Sequence, residues 1–415
     1  MNFYLPFFTR LPKWFQDLNL GLLTALLFSA FIYFEYFHLT NQAINSISAI
    51  FALVLLLIIS KRALLIAGFV IGLLWFYWIG YSFEYYAMAW MVPLISFGFG
   101  IVYLLFFGTL ALTNKIYIRA LTLFILTFVA PFYFNWMQIE LIFVNSYFGV
   151  EKWQFIIILT ALSLTLSLKN KIRYAAPLLL ISTLNFTQSP PQEAPLKIKL
   201  IATNIPQEVK WLPSMRNTIT SQNFVQIDKA IEEGYELVVL PESAFAMFLN
   251  HYPDIVSALQ ARSYKIAILT GSLYEEKGHN YNVSYLFDKG RIQIAKKMVL
   301  VPFGEYIPLP KFMQRVINET FFNGASDYLS AQAPTDFVIN GVPLRNAICY
   351  EATTQAIYQN QPQYVIAMSN NAWFTPSIEP TLQALLIKYY AFKNNTTVYH
   401  ATNASGSEII PNLSK

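Results

Sequence analysis

The sequence predicts a chain of two parts: a membrane α-helical bundle followed by an α/β domain outside the membrane. Hydrophobic residues make up 55% of its 415 residues and charged residues only 12%, against about 25% in typical soluble domains. The apolar excess lies before about residue 187, and beyond a proline-rich stretch short apolar runs alternate with helical patterns. We therefore predict a transmembrane helical domain at 1–187, a linker at 188–195 and a folded domain at 196–415.

Seven apolar segments of the first part are candidate membrane spans. A helix needs roughly 17–25 apolar residues to cross a hydrocarbon core of about 30 Å. Such segments lie at 17–38, 44–60, 63–82, 86–112, 118–136, 153–168 and 174–187. The first is too long and too far from the start to be a cleaved signal peptide, and no small-residue cleavage site follows it. We expect about seven spans.

Lysine and arginine residues occur in alternate loops between these segments. They precede the first segment and follow the second, fourth and sixth, whereas the loops after the first and third contain none and the loop after the fifth contains only Lys152. Positively charged loops remain in the cytoplasm. The alternation therefore predicts a multi-pass protein with a cytoplasmic N-terminus and an odd number of crossings, which places the second part on the outer side.

Composition also argues against several classes of function. The net charge of +5 comes from basic residues that form no patch with interleaved aromatic residues, so we predict no nucleic-acid partner. A single cysteine excludes an internal disulfide framework and a paired-cysteine metal site. The four histidines are scattered, so we predict no metal and no cofactor.

The second part alternates predicted strands and helices. Strands are predicted at 196–203, 235–240, 265–271, 342–349, 364–369 and 397–402, with a hairpin formed by 282–287 and 291–296. Helices are predicted at 222–233, 254–262 and 383–393. Because several strands are continuously apolar, we expect both faces of their sheets to be covered by other elements.

Three reactive residue types each lie beside a buried-strand pattern. Cys349 follows an apolar run, Glu242 ends the run Glu-Leu-Val-Val-Leu-Pro-Glu, and Lys297 opens the run Lys-Met-Val-Leu-Val-Pro. A thiol nucleophile needs a base, and the oxyanion formed in its attack needs a donor. Glu242 could be that base and Lys297 that donor, with His400 left open as another partner for the thiol. Each residue taken singly is more often structural, so the prediction depends on their joint occurrence.

The order of these three residues resembles the nitrilase, or carbon–nitrogen hydrolase, superfamily, whose members use a Glu-Lys-Cys triad on an α-β-β-α sandwich. Further motifs resemble the bacterial apolipoprotein N-acyltransferase family, above all the stretch Leu-Val-Pro-Phe-Gly-Glu-Tyr. They lie at 204–211, 240–244, 300–308, 348–351, 369–374 and 401–407. The multi-span first part agrees with that family, so the resemblance covers nearly the whole chain.

The resemblance implies a two-step acyl transfer in a bacterial inner membrane, with the catalytic domain on the periplasmic side. Cys349 would take a fatty acyl chain from a phospholipid as a thioester. The N-terminal amine of the diacylglyceryl-cysteine of an apolipoprotein would then accept the chain. Glu242 would act as base and acid by turns, and Lys297 would support the oxyanion.

The resemblance also implies supporting or substrate-binding residues. These match family positions beside the triad or around the substrate entrance, and they are Glu305, Tyr350, Glu351, Trp211, Trp373 and Phe374. The apolar run at 245–249 is a candidate mobile lid over the thiol. The chain departs from the family in the residues of the helix at 383–393 and in having no apolar segment of spanning length after 410.

Two other readings remain open at this point. A membrane-tethered amidase of the nitrilase type would resolve the thioester with water instead of an amine. A non-catalytic membrane scaffold or transporter would not need the three reactive residues. Charged residues are few in the predicted spans, and nothing there resembles the charged relay of a transport pathway.

Overall fold

The computed structural model describes residues 12–131, 134–185, 192–302, 304–306 and 328–411. The chain divides into two compact units, Met1–Phe186 and Thr187–Lys415. Half of the predicted linker, the end of the last predicted span and part of the 300–308 motif lie outside the described residues.

The described residues of the first unit form helices α1 (Lys13–Tyr36), α2 (Gln42–Ile58), α3 (Lys61–Phe76), α4 (Met91–Gly108), α5 (Ile116–Leu126), α6 (Lys152–Ser167) and α7 (Ile172–Ala175). Three apolar helical stretches, Lys13–Tyr36, Lys61–Tyr86 and Met91–Leu112, are long enough to cross a membrane. The other apolar helices have 10–17 residues. The number of seven spans therefore stays a prediction.

Helices α3 and α4 approach each other closely because glycines line their contact. A Cβ on Gly68 would lie 2.7 Å from the carbonyl oxygen of Tyr103, and one on Gly72 would lie 2.6 Å from that of Phe99. Small residues allow this approach between membrane helices, where packing replaces the hydrophobic driving force.

The described residues of the second unit form two sheets. The first has the order β1-β2-β4-β5-β6, with β3 also paired to β4. Its strands are β1 (Ile198–Leu200), β2 (Leu237–Val239), β3 (Phe245–Phe248), β4 (Ala267–Glu276), β5 (His279–Asp288) and β6 (Arg291–Lys296). The second sheet has the order β11-β10-β9-β8-β7. Its strands are β7 (Asp336–Ile339), β8 (Val342–Ile348), β9 (Tyr364–Asn370), β10 (Thr397–Asn403) and β11 (Glu408–Ile410).

The two sheets pack face to face, and helices cover their outer faces. Alternate residues of each strand point to opposite faces, so Val239 joins the core between the sheets while Val238 packs with α9 (Arg216–Glu232) and α10 (Pro253–Arg262). The short helix α8 (Gln207–Lys210) precedes them in the chain. Helix α11 (Glu379–Asn394) packs on β10 of the second sheet. The predicted α-β-β-α sandwich is confirmed.

The sheets are joined where their parallel strands end. Thr203, just after β1, donates its N–H to the Thr402 carbonyl at 3.0 Å and its hydroxyl to Asn403 Oδ1 at 2.8 Å. These bonds tie the carboxyl ends of the two sets of parallel strands to one another. Ligand sites of α/β folds lie at such strand ends.

The hypothesis of a mobile lid at 245–249 is wrong. Residues Phe245–Phe248 form strand β3, and Phe245 is fully buried. The Ser272 hydroxyl bonds to the carbonyl oxygens of Phe245 and Met247 at 2.9 and 2.8 Å. The apolar run that suggested a lid instead belongs to the core of the first sheet.

Candidate active site

The three candidate catalytic residues each follow a strand. Glu242 comes three residues after β2, Lys297 directly after β6, and Cys349 directly after β8. Side chains at strand ends are held by a rigid scaffold on one side and are accessible to substrate on the other.

A buried lysine lies between two carboxylates. Lys297 is 1% exposed, and its Nζ is 2.7 Å from Glu305 Oε2 and 3.8 Å from Glu242 Oε1. Asn282 Nδ2 donates to Glu242 Oε1 at 2.8 Å and to Glu305 Oε1 at 3.0 Å. Burial opposes the Lys297 charge, but the charges of Glu305 and Glu242 prevail and raise the pKa of Lys297. The lysine is therefore a fixed cation at neutral pH.

Glu242 is held from several sides. Its Oε2 accepts a hydrogen bond from the Asn370 backbone N–H at 2.9 Å, and its carbonyl oxygen accepts one from Lys210 Nζ at 3.0 Å. The backbone of β4 passes so close that a Cβ on Gly271 would lie 2.5 Å from the Ser243 nitrogen. Only glycine fits there without a shift of the Glu242 segment.

Cys349 sits on a tight turn. Its φ of +54° is unusual for a residue with a side chain, and such a conformation persists only where its surroundings enforce it. Glu351 supplies that enforcement, because its Oε1 accepts the Ile348 N–H at 2.6 Å while its Oε2 accepts the Met298 and Val299 N–H groups at 2.8 and 3.1 Å. One buried carboxyl group therefore joins the cysteine turn to the lysine segment.

The thiol of Cys349 is protonated at neutral pH. Burial and then the charge of Glu242 raise its pKa well above the ordinary value of 9.0, and the opposing charge of Lys297 does not offset them. A thiol in this state needs a base during its attack, and the Glu242 carboxylate is the fixed candidate beside it.

The structure places the other predicted residues in different surroundings. Trp211 is 39% exposed, Trp373 and Phe374 are partly exposed near the end of β9, and Tyr350 is buried. His400 is buried, and its Nε2 bonds to Ser369 Oγ at 2.8 Å. Burial lowers the pKa of His400 to about 4. The histidine is therefore neutral, and its described hydrogen bond goes to a serine and not to Cys349.

Sequence reasoning missed five polar residues that surround the site. They share burial and a contact or charge interaction with the three candidates, and they are Lys210, Asn282, Asn370, Glu379 and Gln383. One of these residues could have been found from the sequence, because Asn370 ends β9 and a polar residue at the end of a strand is a candidate site residue. The part of the chain that the structure describes contains no group of three or more histidine, cysteine, aspartate or glutamate residues that could hold a metal ion.

Lys210 is expected to make stability depend on pH above 8. Burial lowers the pKa of this side chain from 10.5 to about 8, so between these values the unfolded chain binds a proton that the folded chain lacks. Stability should rise with pH in this window by up to about 1.4 kcal/mol per unit. Apparent melting temperatures of the full chain in detergent at pH 7.5–10.5 should show this rise. It should disappear in Lys210→Met and persist in Lys199→Met, a partly exposed lysine; an unchanged rise in Lys210→Met would contradict the assignment.

Two families match the chain. Residues 15–186 match the apolipoprotein N-acyltransferase integral membrane domain, and residues 205–411 match the carbon–nitrogen hydrolase family. The first part of the chain is therefore an integral membrane domain with apolar helices, and the second is a carbon–nitrogen hydrolase domain.

Proteins named apolipoprotein N-acyltransferase resemble the chain over nearly its whole length. The protein from Wolinella succinogenes is 44% identical over 398 residues, which cover 95% of this chain and 96% of that protein. The protein from Campylobacter jejuni is 35% identical over 420 residues, which cover 98% and 94%. Among solved structures, a carbon–nitrogen hydrolase superfamily protein from Xanthomonas campestris is 14% identical with a TM-score of 0.39, covering 52% of this chain and 82% of that chain. By these sequence matches, the chain belongs to the apolipoprotein N-acyltransferase family.

Proposed function

We propose that the protein transfers a fatty acyl chain from a phospholipid, through a thioester on Cys349, to the N-terminal amine of the diacylglyceryl-cysteine of an apolipoprotein. The observation that carries the proposal is the buried cluster in which Lys297 lies 3.8 Å from Glu242 and 2.7 Å from Glu305, in a chain whose full-length relatives are named for this activity. Glu242, Lys297 and Cys349 are the proposed catalytic residues.

In the first half-reaction, Glu242 takes the proton of the Cys349 thiol as the sulfur attacks the sn-1 ester carbon of the phospholipid. Lys297 stabilises the oxyanion of the tetrahedral adduct, because a fixed buried cation needs no reorganisation as the negative charge develops. The bond from carbon to the glycerol oxygen breaks, and that oxygen takes the proton from Glu242. Lysophospholipid leaves, and the acyl chain remains on Cys349.

In the second half-reaction, the acceptor amine attacks the thioester carbon. Glu242 accepts a proton from the nitrogen, and the bond from carbon to sulfur breaks as the amide forms. The acceptor arrives as an ammonium group, so the Cys349 sulfur leaves as a thiol after taking a second proton from the nitrogen. The two substrates therefore react in turn with one enzyme group, which is a ping-pong mechanism.

Supporting roles follow from the contacts of the predicted residues. Glu305 holds Lys297 through two close oxygens, and Glu351 holds the cysteine turn. Trp211, Trp373 and Phe374 are exposed or partly exposed, and we propose that they contact the lipid chains. The aromatic Tyr350 is buried directly after the nucleophile, and we propose a positioning role for it.

Intact-protein mass spectrometry tests the proposal. The full chain in detergent is incubated with phosphatidylethanolamine, with Cys349→Ala as the control that cannot form a thioester. We expect a fatty-acyl mass increment on the wild type alone, discharged rapidly by a diacylglyceryl-lipopeptide and slowly by water. Equally rapid discharge by water would indicate the amidase-like alternative, which the names of the relatives do not favour. Folded wild-type protein that gains no increment would contradict both readings.

We also propose that the protein is a multi-pass protein of the bacterial inner membrane, divided at a linker at 188–195, with its catalytic domain on the periplasmic side. The alternation of lysine and arginine between loops supports this orientation. In a Cys349→Ser background, Lys277→Cys provides a single thiol in the turn between β4 and β5. A membrane-impermeant maleimide should label it in intact spheroplasts; labelling only after lysis would reverse the proposed orientation.

A further inference from the structure

Helix α11 presents two buried polar side chains to the thiol. Glu379 begins the helix and Gln383 lies one turn later, so both occupy the same helical face. They are 2% and 1% exposed, and Gln383 Nε2 lies 3.8 Å from the Cys349 sulfur. The charge of Glu379 also acts on Cys349. The proposed catalytic steps use neither residue.

Both side chains have an oxygen without a partner. Glu379 Oε2 and Gln383 Oε1 are buried, and neither accepts a hydrogen bond from the residues that the structure describes. Buried polar atoms are nearly always satisfied, so an unsatisfied pair beside a nucleophile needs an explanation. Two free acceptor oxygens on one helical face suit a ligand that brings several N–H groups.

Two of the carboxyl groups near the thiol, Glu242 and Glu379, have opposite surroundings. Glu242 is held by Lys297, by Asn282 and by the Asn370 N–H. Glu379 has no ion pair among the described residues, and burial, followed by the charge of Glu242, raises its pKa well above the ordinary value. Paired acids whose environments differ in this way take different roles. Glu242 is the base, and Glu379 offers a buried carboxyl group without an ion pair among the described residues, which binds through its oxygen atoms.

We propose that Glu379 and Gln383 form the subsite that binds the attacking primary amine in the second half-reaction. This inference rests on the proposed acyl transfer. The ester of the acyl donor offers only acceptor oxygens at its reacting carbon, whereas an amine offers the N–H groups that the two free oxygens lack. The pair would hold the nitrogen beside the sulfur, with its lone pair directed at the thioester carbon.

The protons balance along this route. The acceptor arrives as an ammonium group with three N–H bonds, and Glu242 takes one proton to free the lone pair. The two remaining N–H bonds point to Glu379 and Gln383 while nitrogen bonds to the acyl carbon. The carbon–sulfur bond then breaks, and the departing Cys349 sulfur takes the second proton. The amide keeps the third hydrogen, and Glu242 releases its proton to solvent.

Single-turnover discharge of the acyl-enzyme tests the subsite. The wild-type chain and its variants are first acylated with phosphatidylglycerol, a donor without a primary amine. The acyl-enzyme is then discharged either by a diacylglyceryl-lipopeptide or by dithiothreitol, a thiol without N–H groups, and followed by intact mass. The variants Glu379→Met and Gln383→Met remove the acceptor oxygens. The variant Glu379→Gln keeps one acceptor oxygen at this position. The control Lys393→Met introduces a methionine near the other end of the same helix.

We expect the two methionine variants to discharge to the lipopeptide about 10–100 times more slowly than wild type, as the loss of one or two hydrogen bonds predicts. Discharge to dithiothreitol should be unchanged, and Glu379→Gln and Lys393→Met should stay within about threefold of wild type. If one methionine variant fails to fold, the other supplies the same comparison.

Three results would contradict the proposal that Glu379 and Gln383 bind the attacking amine. Unchanged discharge to the lipopeptide would exclude a role in binding the amine. Equal slowing with both nucleophiles would indicate a structural role. Slower acylation by phosphatidylethanolamine, with normal acylation by phosphatidylglycerol and normal discharge, would assign the pair to the amine of the donor head group. A wild-type chain that never forms an acyl-enzyme would instead contradict the proposed function.

Discussion

Replacing Lys297 by methionine is expected to reduce the rate of acyl-enzyme formation by about a thousandfold. Removal of a single oxyanion donor typically lowers the rate by a factor of 10²–10³. Here the substitution also leaves Glu242 and Glu305 without the cation that they share. Because Lys297 is 1% exposed, loss of one member of this buried cluster should also lower stability by about 3–5 kcal/mol. The rate is measured by intact mass, and stability by the apparent melting temperature in detergent.

The neighbouring lysine provides the matched control. Lys296 forms an ion pair with Glu276 on a more exposed surface, so Lys296→Met should change stability by less than about 1 kcal/mol and leave acylation near the wild-type rate. The double variant Lys297→Met with Glu305→Gln distinguishes an effect of Lys297 on stability from its effect on the acylation rate. It should regain part of the lost stability and none of the lost rate. Recovery of acylation in the double variant would show that Lys297 acts only on the fold.

Replacing Glu351 by glutamine is expected to damage both the cysteine turn and the lysine segment. The carboxyl group accepts three backbone hydrogen bonds through its two oxygens, whereas a glutamine would present an amide NH₂ to at least one of these donors. A buried N–H without an acceptor costs about 1–3 kcal/mol. We expect a lower melting temperature and acylation slowed by about a hundredfold, because displacement of a reacting group by about 1 Å has that effect.

The same variant should change the dependence of stability on pH. Burial raises the pKa of Glu351 to about 7, against the opposing charge of Lys297 and three backbone hydrogen bonds. The folded chain therefore holds a proton that the unfolded chain has lost between about pH 4.5 and 7. The contribution of this group to stability should fall by about 3 kcal/mol as pH rises through that window. Glu351→Gln should lack this fall, and Glu276→Gln, a partly exposed carboxylate, should retain it. An identical fall in Glu351→Gln would contradict the assignment.

Strands that lie within continuous apolar runs were predictable from the sequence, and β7 and β11 were not. The strand predicted at 364–369 is β9 at Tyr364–Asn370, because a strand buried on both faces leaves a continuous apolar run. Strands β7 and β11 have four and three residues, which is too short for any period to appear. Strand β3 was interpreted as a lid because its apolar residues come just after Glu242 in the sequence.

Helix starts were the other main error, and one of them concealed part of the site. Helix α11 begins at Glu379 and not at residue 383. Pro380 lies in the first turn of the helix, where the missing N–H of a proline has no partner to lose. With the true start, Glu379 and Gln383 fall on one helical face. With a helix that starts at residue 383, Glu379 would instead be assigned to the preceding loop.

Predicting the polar surroundings of the site required the packing of the two sheets. Asn282 lies in the middle of β5, and nothing in its sequence neighbours indicates that its side chain reaches Glu242 and Glu305. Lys210 lies in a four-residue helix with an exposed tryptophan after it, which predicts a surface lysine. The direction in which each of these two side chains points is determined by tertiary packing and not by local propensity.

The division of the site between two sheets has a consequence for how the chain becomes active during synthesis. Glu242 and Lys297 belong to the first sheet and are made first, whereas Cys349 follows β8 of the second. The bonds from Thr203 to the end of β10 close the domain only after Asn403 has been made. A nascent chain therefore carries a base and a cation but no nucleophile. Its single thiol is made after both partners, and the three groups are brought into one closed domain only when the second sheet is complete through β10.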